Sequence, residues 1–426
     1  TNMIRKDYNH PCVILYSVGN EIPETGDRYD KQFGKKLADK VRELDNSRYT
    51  VECMSILLSM MNDLPKALEE MGADGEVRPG EINELMTNLG DSMPRFVNCA
   101  FAGRLTDEAS GQVDITGLNY GAGRYASDAK LHPNRIFVGS ETYPPDLDVN
   151  WELVMKYPFV LGDFDWTAWD YLGETGIGKL DYNKKKGVSF YTPYPDKAAY
   201  CGDINLLGDL RPAAMWRKTV WGVSHGPYIA ICPPQHYHDV LAKTGWIMTD
   251  ASRSWNHKGY VGSPVKVEVY TDADEVELFI NGRSVERKAV GEIKKNIAYF
   301  DTVYEPGVIE AAAFKDGNEI GRDCIRTADE DVEIEAVPDC DAIPGDGSDI
   351  CYIDLYLKDR DGNLNPEEVR KISVSVSGAG YLLGFGSADP GSEENYFDTA
   401  ARTYEGRLRA AIRAEQTGEI LVTFTG

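Results

Sequence analysis

The stretch "HPCVILYSVGNEI", His10 to Ile22, joins a short apolar run to an amide and a carboxyl group. The β-branched segment "CVILYSV" predicts a strand that is buried on both faces, as strands of parallel sheets are. Asn20 and Glu21 follow at the carboxyl end of this strand. Because α/β barrels and open parallel sheets bind ligands at that end, both residues are candidates for an active site.

The pattern of the opening stretch recurs through residues 1–223. Four further segments have the composition of buried strands, namely "RYTVECM", "QVDITGLNY", "RIFVGSETY" and "FVLGDFDW". Helical periodicity separates or follows them, at about residues 29–44, 64–71, 79–89, 149–156 and 212–221. In the first of these helices Phe33, Leu37, Val41 and Leu44 share one face. Strands that alternate with helices predict parallel βα units, so this part of the chain is expected to be α/β.

From about residue 224 the pattern becomes all-β. The segment "VKVEVYTDADEVELFINGRSVERK" alternates with a period of two and contains Asn281-Gly282, a strong signal for a β-hairpin turn. A second such block includes "ICYIDLYLKDRDGN" and "GEILVTFTG". We therefore predict two β-sandwich domains, residues 224–328 and 329–426, each close to the length of an immunoglobulin-like domain.

The composition limits the expected partners. Acidic residues outnumber basic residues 69 to 45, and the formal net charge is −24. Such a surface repels phosphate backbones and anionic lipids, so neither nucleic acid nor a membrane is expected to bind. No apolar run reaches the roughly 18 residues of a membrane helix. The eight cysteines follow no CxxC spacing, which predicts scattered reduced thiols and favours a cytoplasmic protein.

Polar and aromatic side chains follow the other predicted strands as they follow the first. Asn119 and Tyr120 end the third strand, Glu141 ends the fourth, and Trp166 follows the fifth. Two carboxylic acids at the ends of strands three steps apart, accompanied by aromatic rings, predict a site that cleaves sugars. Glycoside hydrolysis uses one carboxyl group to protonate the leaving oxygen and a second to attack the sugar or to activate water.

These motifs resemble glycoside hydrolase family 2. "RKDYNHPCVILYSVGNE" is similar to the strand of that family that carries the acid/base residue. "GLNY", "FVGSETYP" and "GDFDWTAWDYLGE" resemble the sixth, seventh and eighth barrel strands, in the same order. "DEVELFINGRSV" and "GAGYLLGFGSADP" resemble β-rich modules of the β-galactosidase branch. The resemblance implies part of a (β/α)8 TIM barrel, strands four to eight, followed by two immunoglobulin-like β-sandwich domains.

The resemblance also implies roles for five residues. Glu21 matches the general acid/base and Glu141 the nucleophile of a retaining, double-displacement mechanism. Asn20 matches the residue that hydrogen-bonds the sugar 2-hydroxyl, Tyr120 a tyrosine beside the nucleophile, and Trp166 the aromatic wall of the pocket. Glu21 is then expected to be the protonated carboxyl group at rest, because burial and the charge of Glu141 both raise its pKa.

The implied activity is that of an exo-β-glycosidase, and specifically a β-galactosidase acting on terminal β-D-galactosides. β-Glucuronidase and β-mannosidase specificity are the rivals within this class. A different class of function is a non-catalytic fragment whose sandwiches bind carbohydrate or a protein. No organic cofactor is expected. Some relatives bind sodium or magnesium, but no ligand set in this sequence can be assigned to a metal.

In the implied family the acid/base strand is the fourth of eight, so the sequence is expected to be the C-terminal portion of a longer enzyme. A partial barrel exposes apolar strand edges. We therefore expect either a homo-oligomer or association with a missing N-terminal portion, and the activity of this chain alone is an open question.

Two other motifs imitate ligand sites. His236 and His238 would share one face if they lay in a strand, where a metal ion could bridge them, but the alternative of surface histidines is favoured because no third ligand is evident. "DRDGNLNPEE", residues 359–368, resembles a calcium loop, yet Arg370 stands where the bidentate glutamate is required. A hairpin turn is the preferred interpretation of this segment.

Overall fold

The computed structural model describes residues 1–26, 32–63, 66, 96–182, 192–242 and 244–426. These residues form two compact units. Unit 1 comprises Thr1–Thr167 and Thr244–Ile247, and unit 2 comprises Ala168–Lys243 and Met248–Gly426. The helices predicted at residues 64–71 and 79–89 lie outside the described residues, apart from Lys66. The predicted three-domain division, 1–223, 224–328 and 329–426, stays a prediction.

A parallel sheet of five described strands forms the centre of unit 1. The strands are β1 (Leu15–Asn20), β2 (Tyr49–Ser55), β3 (Ile115–Asn119), β4 (Phe137–Thr142) and β5 (Val160–Asp165). They pair in chain order, β1-β2-β3-β4-β5, and each pair is parallel. This is the arrangement that the alternating sequence pattern predicts.

Helices connect these strands. Those described in unit 1 are α1 (Asn2–Asp7), α2 (Gln32–Leu44), α3 (Ile56–Met60), α4 (Ala100–Ser110), α5 (Tyr125–Leu131) and α6 (Leu147–Lys156). In α2 the predicted apolar face is only partly buried: Val41 is buried, but Phe33 is 62% exposed. Phe33 therefore does not belong to the core that its spacing predicted.

The prediction that the first strand is buried on both faces is wrong. The strand begins at Leu15, and within it only Tyr16 is fully buried, whereas Ile14 just before it is 70% exposed. The reason is position, because β1 is an outer strand of the described sheet and pairs only with β2. Strands inside a sheet have neighbours on both sides, and β3 is buried at every residue.

Two glycines let the inner strands approach each other. A Cβ atom on Gly117 in β3 would lie 2.8 Å from the carbonyl oxygen of Glu52 and 2.9 Å from the Oγ atom of Ser140. A Cβ atom on Gly139 in β4 would lie 2.7 Å from a carboxylate oxygen of Asp163. Any larger residue at either position would push apart the strands whose ends carry the candidate site.

The first sandwich of unit 2 consists of two antiparallel sheets around one core. The strands are β10 (Tyr228–Ile231), β12 (Pro264–Tyr270), β13 (Glu275–Ile280), β14 (Arg283–Ala289), β15 (Ile297–Val303), β16 (Val308–Lys315) and β17 (Asn318–Arg326). The sheets are β10-β12-β15 and β14-β13-β16-β17. Buried valine, isoleucine and leucine side chains from both sheets, together with Trp255, form the core.

The predicted hairpin at Asn281-Gly282 is confirmed, because β13 and β14 pair antiparallel across these two residues. Both have positive φ, 51° and 73°, as a tight two-residue turn requires.

The second sandwich is built in the same way. Its strands are β18 (Val332–Pro338), β19 (Ile350–Asp359), β20 (Lys371–Gly378), β21 (Gly380–Gly386), β22 (Ala400–Arg402), β23 (Arg407–Ala414) and β24 (Ile420–Thr425). The sheets are β18-β19-β23-β21 and β22-β20-β24, and their facing apolar side chains, including Leu355 and Phe385, form a separate core. The segment from Asp359 begins with a turn, in which the Asp359 carboxylate accepts the backbone N–H groups of Asp361 and Asn363. The preferred interpretation of a hairpin is wrong, because the flanking strands β19 and β20 belong to different sheets.

The rest of unit 2 contains helix α7 (Pro212–Val220), which was predicted, and the short strands β6 (Tyr171–Leu172), β7 (Thr175–Gly178), β8 (Asp181–Tyr182), β9 (Ala198–Ala199) and β11 (Leu241–Ala242). His236 ends a 3-10 turn, Pro234–His236, so the strand that a histidine metal bridge would need is not formed there. Among the described helices, none has the length and apolarity required to cross a membrane.

Candidate active site

Glu21 lies directly after β1 and has a left-handed backbone with φ of 52°. A non-glycine residue in this region is strained by about 1–3 kcal/mol and persists only where its surroundings fix it. The fixing contact is a hydrogen bond of 2.8 Å from the Glu21 N–H group to the carbonyl oxygen of Cys53, at the end of β2. The strand edge therefore sets the direction in which the Glu21 side chain leaves the backbone.

Tyr120 is the second strained residue, with φ of 54° directly after β3. Its N–H group donates to the carbonyl oxygen of Glu141 at 2.6 Å, and its hydroxyl group donates to the Glu141 Oε2 atom at 3.0 Å. Burial raises the pKa of Tyr120 strongly, so the hydroxyl group stays protonated and remains a donor. One tyrosine thus holds both the backbone and the carboxylate of Glu141.

Asn119 connects the two carboxyl groups. Its Nδ2 atom donates to the Glu21 Oε1 atom and to the Asn20 Oδ1 atom, both at 3.1 Å. Asn119 also pairs with Glu141 in the backbone register of β3 and β4, and the side chains of Asn20 and Asn119 both lower the pKa of Glu141. Four of the five sequence-predicted site residues, Asn20, Glu21, Tyr120 and Glu141, are therefore gathered into one hydrogen-bonded cluster around this amide.

Burial dominates the electrostatics of Glu141. The pKa of Glu141 is raised to about 7, first by burial and then by the charge of Glu21. The hydrogen bonds from Tyr120, Asn20 and Asn119 lower it, but they do not offset the burial. The expectation that Glu21 is the protonated carboxyl group at rest stays a prediction. In the structure the cost of burial raises the pKa of Glu141, so Glu141 loses its proton only near neutral pH.

Two hydroxyl groups on β4 form further hydrogen bonds beside Glu141 and help to orient the cluster. The hydroxyl group of Ser140 donates to the Oδ1 atom of Asn119 at 2.6 Å, which leaves the Asn119 amide NH2 group turned toward Glu21. The hydroxyl group of Thr142, next to Glu141, donates to Asp163 at 3.1 Å. Both supporting residues flank Glu141 on β4.

Comparison with known proteins shows which families and structures the chain is similar to. Residues 1–90 match the family model "Glycosyl hydrolases family 2, TIM barrel domain", and residues 334–426 match "Glycoside hydrolase family 2 C-terminal domain 5". The chain therefore contains two regions that match glycoside hydrolase family 2 domains. Residues 262–321, in the first sandwich, match a model for a domain of unknown function.

Individual family 2 members are similar over the whole chain. A curated relative, "Beta-galactosidase BoGH2A" of Bacteroides ovatus, is 23% identical, and the match covers 100% of this chain and 49% of the relative. A crystal structure of a family 2 member from Bacteroides cellulosilyticus has a TM-score of 0.81 and 29% identity, over 99% of this chain and 49% of that chain. A family 2 β-glucuronidase structure has a TM-score of 0.62 and 15% identity, over 100% of this chain and 38% of that chain. The chain thus spans about half the length of the curated relative it matches.

Sequence reasoning missed one residue of the candidate site, Trp246. Its Nε1–H group donates to the Tyr120 hydroxyl oxygen at 2.8 Å, and its ring lies edge-on to Tyr120 and Tyr143, with centroid distances of 5.8 and 5.3 Å. Gly245 permits this contact, because a Cβ atom there would lie 2.8 Å from the Tyr143 ring. Trp246 is 126 residues from Tyr120 in sequence and carries no motif, so no local signal identified it.

Trp166, the fifth predicted residue, follows β5 and is half-buried. Its backbone N–H group donates to the carbonyl oxygen of Thr142 at 3.0 Å, which ties it to the strand end that carries Glu141. Its role as the wall of a sugar pocket stays a prediction.

The side chains that could bind a metal ion lie apart from this cluster. Within the part of the chain that the structure describes, the group of three side chains close enough to share a metal ion is Asp339, Cys340 and Cys351, in the second sandwich. That group includes neither of the carboxyl residues Glu21 and Glu141.

Proposed function

We propose that the chain carries the catalytic pair of a retaining exo-β-glycosidase, with Glu141 as nucleophile and Glu21 as general acid/base. The observation that supports this most is the pair Asn119-Tyr120 at the end of β3: the Asn119 side chain donates to Glu21 and the Tyr120 hydroxyl group donates to Glu141, so two carboxyl groups from different strand ends share one cluster. Retaining glycosidases require two carboxyl groups at close quarters, about 5–5.5 Å apart.

The proposed reaction has two displacements. First, a Glu141 carboxylate oxygen attacks the anomeric carbon while Glu21 gives its proton to the glycosidic oxygen, and the bond to the leaving group breaks. A sugar covalently linked to Glu141 results. Second, the Glu21 carboxylate takes a proton from water, whose oxygen attacks the same carbon and releases Glu141. Two inversions return the β configuration, and both carboxyl groups recover their starting protonation.

The other cluster residues have supporting roles in this proposal. Tyr120, positioned by Trp246, donates to Glu141 and favours the ionised form that attack requires. Asn20 binds the sugar 2-hydroxyl group, and Trp166 provides an apolar face for the C–H side of the ring. The sequence resemblance is the support for the roles of Asn20 and Trp166.

For the substrate we propose terminal β-D-galactosides. The support is the sequence resemblance of the sandwiches to the β-galactosidase branch and the name of the Bacteroides ovatus relative. β-Glucuronides are the second candidate, favoured by the fold likeness to a family 2 β-glucuronidase, and β-mannosides remain a third rival. The chain spans only part of its relatives, so the activity is proposed for the whole protein and a non-catalytic, carbohydrate-binding role stays the alternative for this chain alone.

We also propose which fold each part of the chain adopts. The five parallel strands are assigned to strands four to eight of a (β/α)8 barrel, and the two sandwiches to immunoglobulin-like domains. Apolar side chains on both outer strands support a barrel continued by further strands: Ile14 beside β1 is 70% exposed, and Leu161 and Phe164 on β5 are 54% and 61% exposed. Those strands would come from an N-terminal portion or from a second copy, and a monodisperse monomer in sedimentation would count against the second copy.

Azide rescue tests the two roles separately. With an aryl β-galactoside that has a good leaving group, Glu141→Ala should lose nearly all turnover, and azide should restore it by forming the α-galactosyl azide. Glu21→Ala should instead form the β-galactosyl azide, because azide replaces water in the second step.

Glu52→Gln serves as the control, since Glu52 is a buried carboxyl residue of the same sheet without a proposed catalytic role. Identical azide products from both alanine variants would refute the assignment of roles. An active wild-type chain whose two alanine variants keep their activity would refute the site itself.

A further inference from the structure

Two cysteines face each other at the tip of the β18–β19 hairpin. The register of this pair runs from Val332↔Asp359 to Pro338↔Ile353. Continued by two residues, it places Cys340 directly opposite Cys351. The backbone keeps this alignment one residue beyond β18, because the N–H group of Asp339 donates to the carbonyl oxygen of Tyr352 at 2.9 Å.

The position within the ladder favours cross-linking. Asp339 and Tyr352 stand at a hydrogen-bonded position of the register, where the Tyr352 N–H group donates to the Asp339 Oδ1 atom in place of the second backbone bond. The next pair, Cys340 and Cys351, therefore stands at a non-hydrogen-bonded position. Opposed Cα atoms at such positions are about 4.5 Å apart, within the range of about 4.4–6.8 Å that disulfides span. Opposed side chains also lie on the same face of the sheet, so neither strand needs to shift for the two sulfur atoms to bond.

Side-chain contacts agree with this register. The two Sγ atoms and a carboxylate oxygen of Asp339 all lie within 4.8 Å of one another. The Cys351 Sγ–H group also donates to the carbonyl oxygen of Cys340 at 3.4 Å. Both cysteines are only partly buried, so a small reagent can reach them.

We propose that Cys340 and Cys351 form a reversible cross-strand disulfide that covalently links the edge strand β18 to β19. The other six cysteines remain thiols, so the expectation of scattered, unrelated thiols would not hold for this pair. β18 is the outer strand of its sheet, and residues 341–349 form the loop that the bond would close.

The oxidant is a low-molecular-weight disulfide of the glutathione class. Contact with Cys351 and burial raise the pKa of the Cys340 thiol. The exchange can begin from a thiolate at either cysteine, and both orders balance in the same way. In one order, the Cys351 sulfur attacks the small disulfide and one thiol leaves. The Cys340 sulfur then attacks the mixed disulfide at the Cys351 sulfur and releases the second thiol. Two protein S–H bonds become one S–S bond, and the small disulfide is reduced to two thiols.

The test is a thiol count on the full chain in glutathione buffers of increasing oxidised fraction, followed by alkylation in denaturant and peptide mapping by mass spectrometry. The number of alkylated thiols should fall from eight to six, and a peptide linked through Cys340 and Cys351 should appear. Dithiothreitol should restore all eight thiols.

A matched pair of variants distinguishes this bond from other oxidation. Cys351→Ser should abolish the linked peptide, whereas Cys324→Ser, which changes an exposed cysteine in β17, should still lose two thiols. The proposal is overturned if glutathione adds to exposed Cys12 while Cys340 and Cys351 both stay alkylatable. It is also overturned if native mass spectrometry of the untreated chain shows one zinc ion that Cys351→Ser removes, because the pair would then be a metal site.

Discussion

At the residue scale, the account depends on how one carboxyl group is held. Glu141 is half-buried, and its charged form is opposed by burial and by Glu21 but supported by Tyr120. A nucleophile with a pKa near 7 is protonated below that pH and ionised above it. Attack requires the ionised form, so kcat/KM should fall as the pH drops through about 7.

Substitutions around Glu141 should move this acid limb in opposite directions. Tyr120→Phe removes a donor and should shift the limb to higher pH, whereas Glu21→Gln removes a negative charge and should shift it to lower pH, each by on the order of one unit. An aryl galactoside with a good leaving group makes Glu21→Gln measurable. Tyr125→Phe is the matched control, because the buried Tyr125 hydroxyl group has no hydrogen-bond partner among the described residues. An acid limb that stays in place in Tyr120→Phe would contradict the assignment.

At the element scale, strand β2 contains a buried carboxyl group, Glu52, whose hydrogen bonding is incomplete among the described residues. Glu52 is 2% exposed, and its Oε2 atom has no hydrogen-bond partner in the described part of the chain. Burial raises the pKa of Glu52 to about 7. The folded state therefore binds the proton more tightly than the unfolded state does, and this stabilisation is complete at low pH and is lost as the pH rises through about 7.

Glu52→Gln should remove that pH dependence. Relative to wild type, the variant should gain free energy of unfolding between pH 5 and pH 8, on the order of 2 kcal/mol. Urea denaturation of both proteins at the two pH values measures the difference, and Glu141 titrates in both proteins and so cancels. A variant that gains nothing at pH 8 would show that the Glu52 carboxylate is solvated.

The hairpin turn between β13 and β14 gives a second prediction at this scale. Gly282 has φ of 73°, and a Cβ atom added there would have no other atom within 4 Å, so Gly282→Ala adds backbone strain without a steric clash. The free energy of unfolding should fall by about 1 kcal/mol. Gly162→Ala is the control, because that site is equally open and lacks positive φ. Equal effects of the two substitutions on chemical denaturation would disprove the argument from backbone strain.

Elements with strong local signals were predictable from sequence, and contacts between distant segments were not. The strand ends at Glu21, Tyr120 and Glu141 follow from apolar runs that stop at polar residues, because each strand encodes its own boundary. The exposure of Phe33 and the position of β1 at the sheet edge depend on what packs against them. Trp246 reaches the site from a segment with no periodic pattern, so only the folded structure identifies it.

At the scale of the whole molecule, the proposed catalytic pair and the proposed disulfide belong to different units. Unit 1 holds the carboxyl pair, and unit 2 holds both sandwiches and the Cys340–Cys351 pair. Family 2 domain models match one segment in each unit, residues 1–90 and 334–426. The central claim, that Glu141 forms a covalent bond to the sugar, concerns unit 1 alone and can be tested independently of the thiol chemistry.

The most direct measurement is the intact mass of the protein after incubation with a 2-deoxy-2-fluoro-β-galactosyl inactivator that has a good leaving group, followed by peptide mapping. The fluorine slows both displacements and the leaving group restores the first, so the glycosyl-enzyme accumulates. We predict one sugar adduct per chain, on Glu141, and none in Glu141→Gln. An adduct on another residue, or galactoside hydrolysis by a protein that the inactivator never labels, would contradict the account.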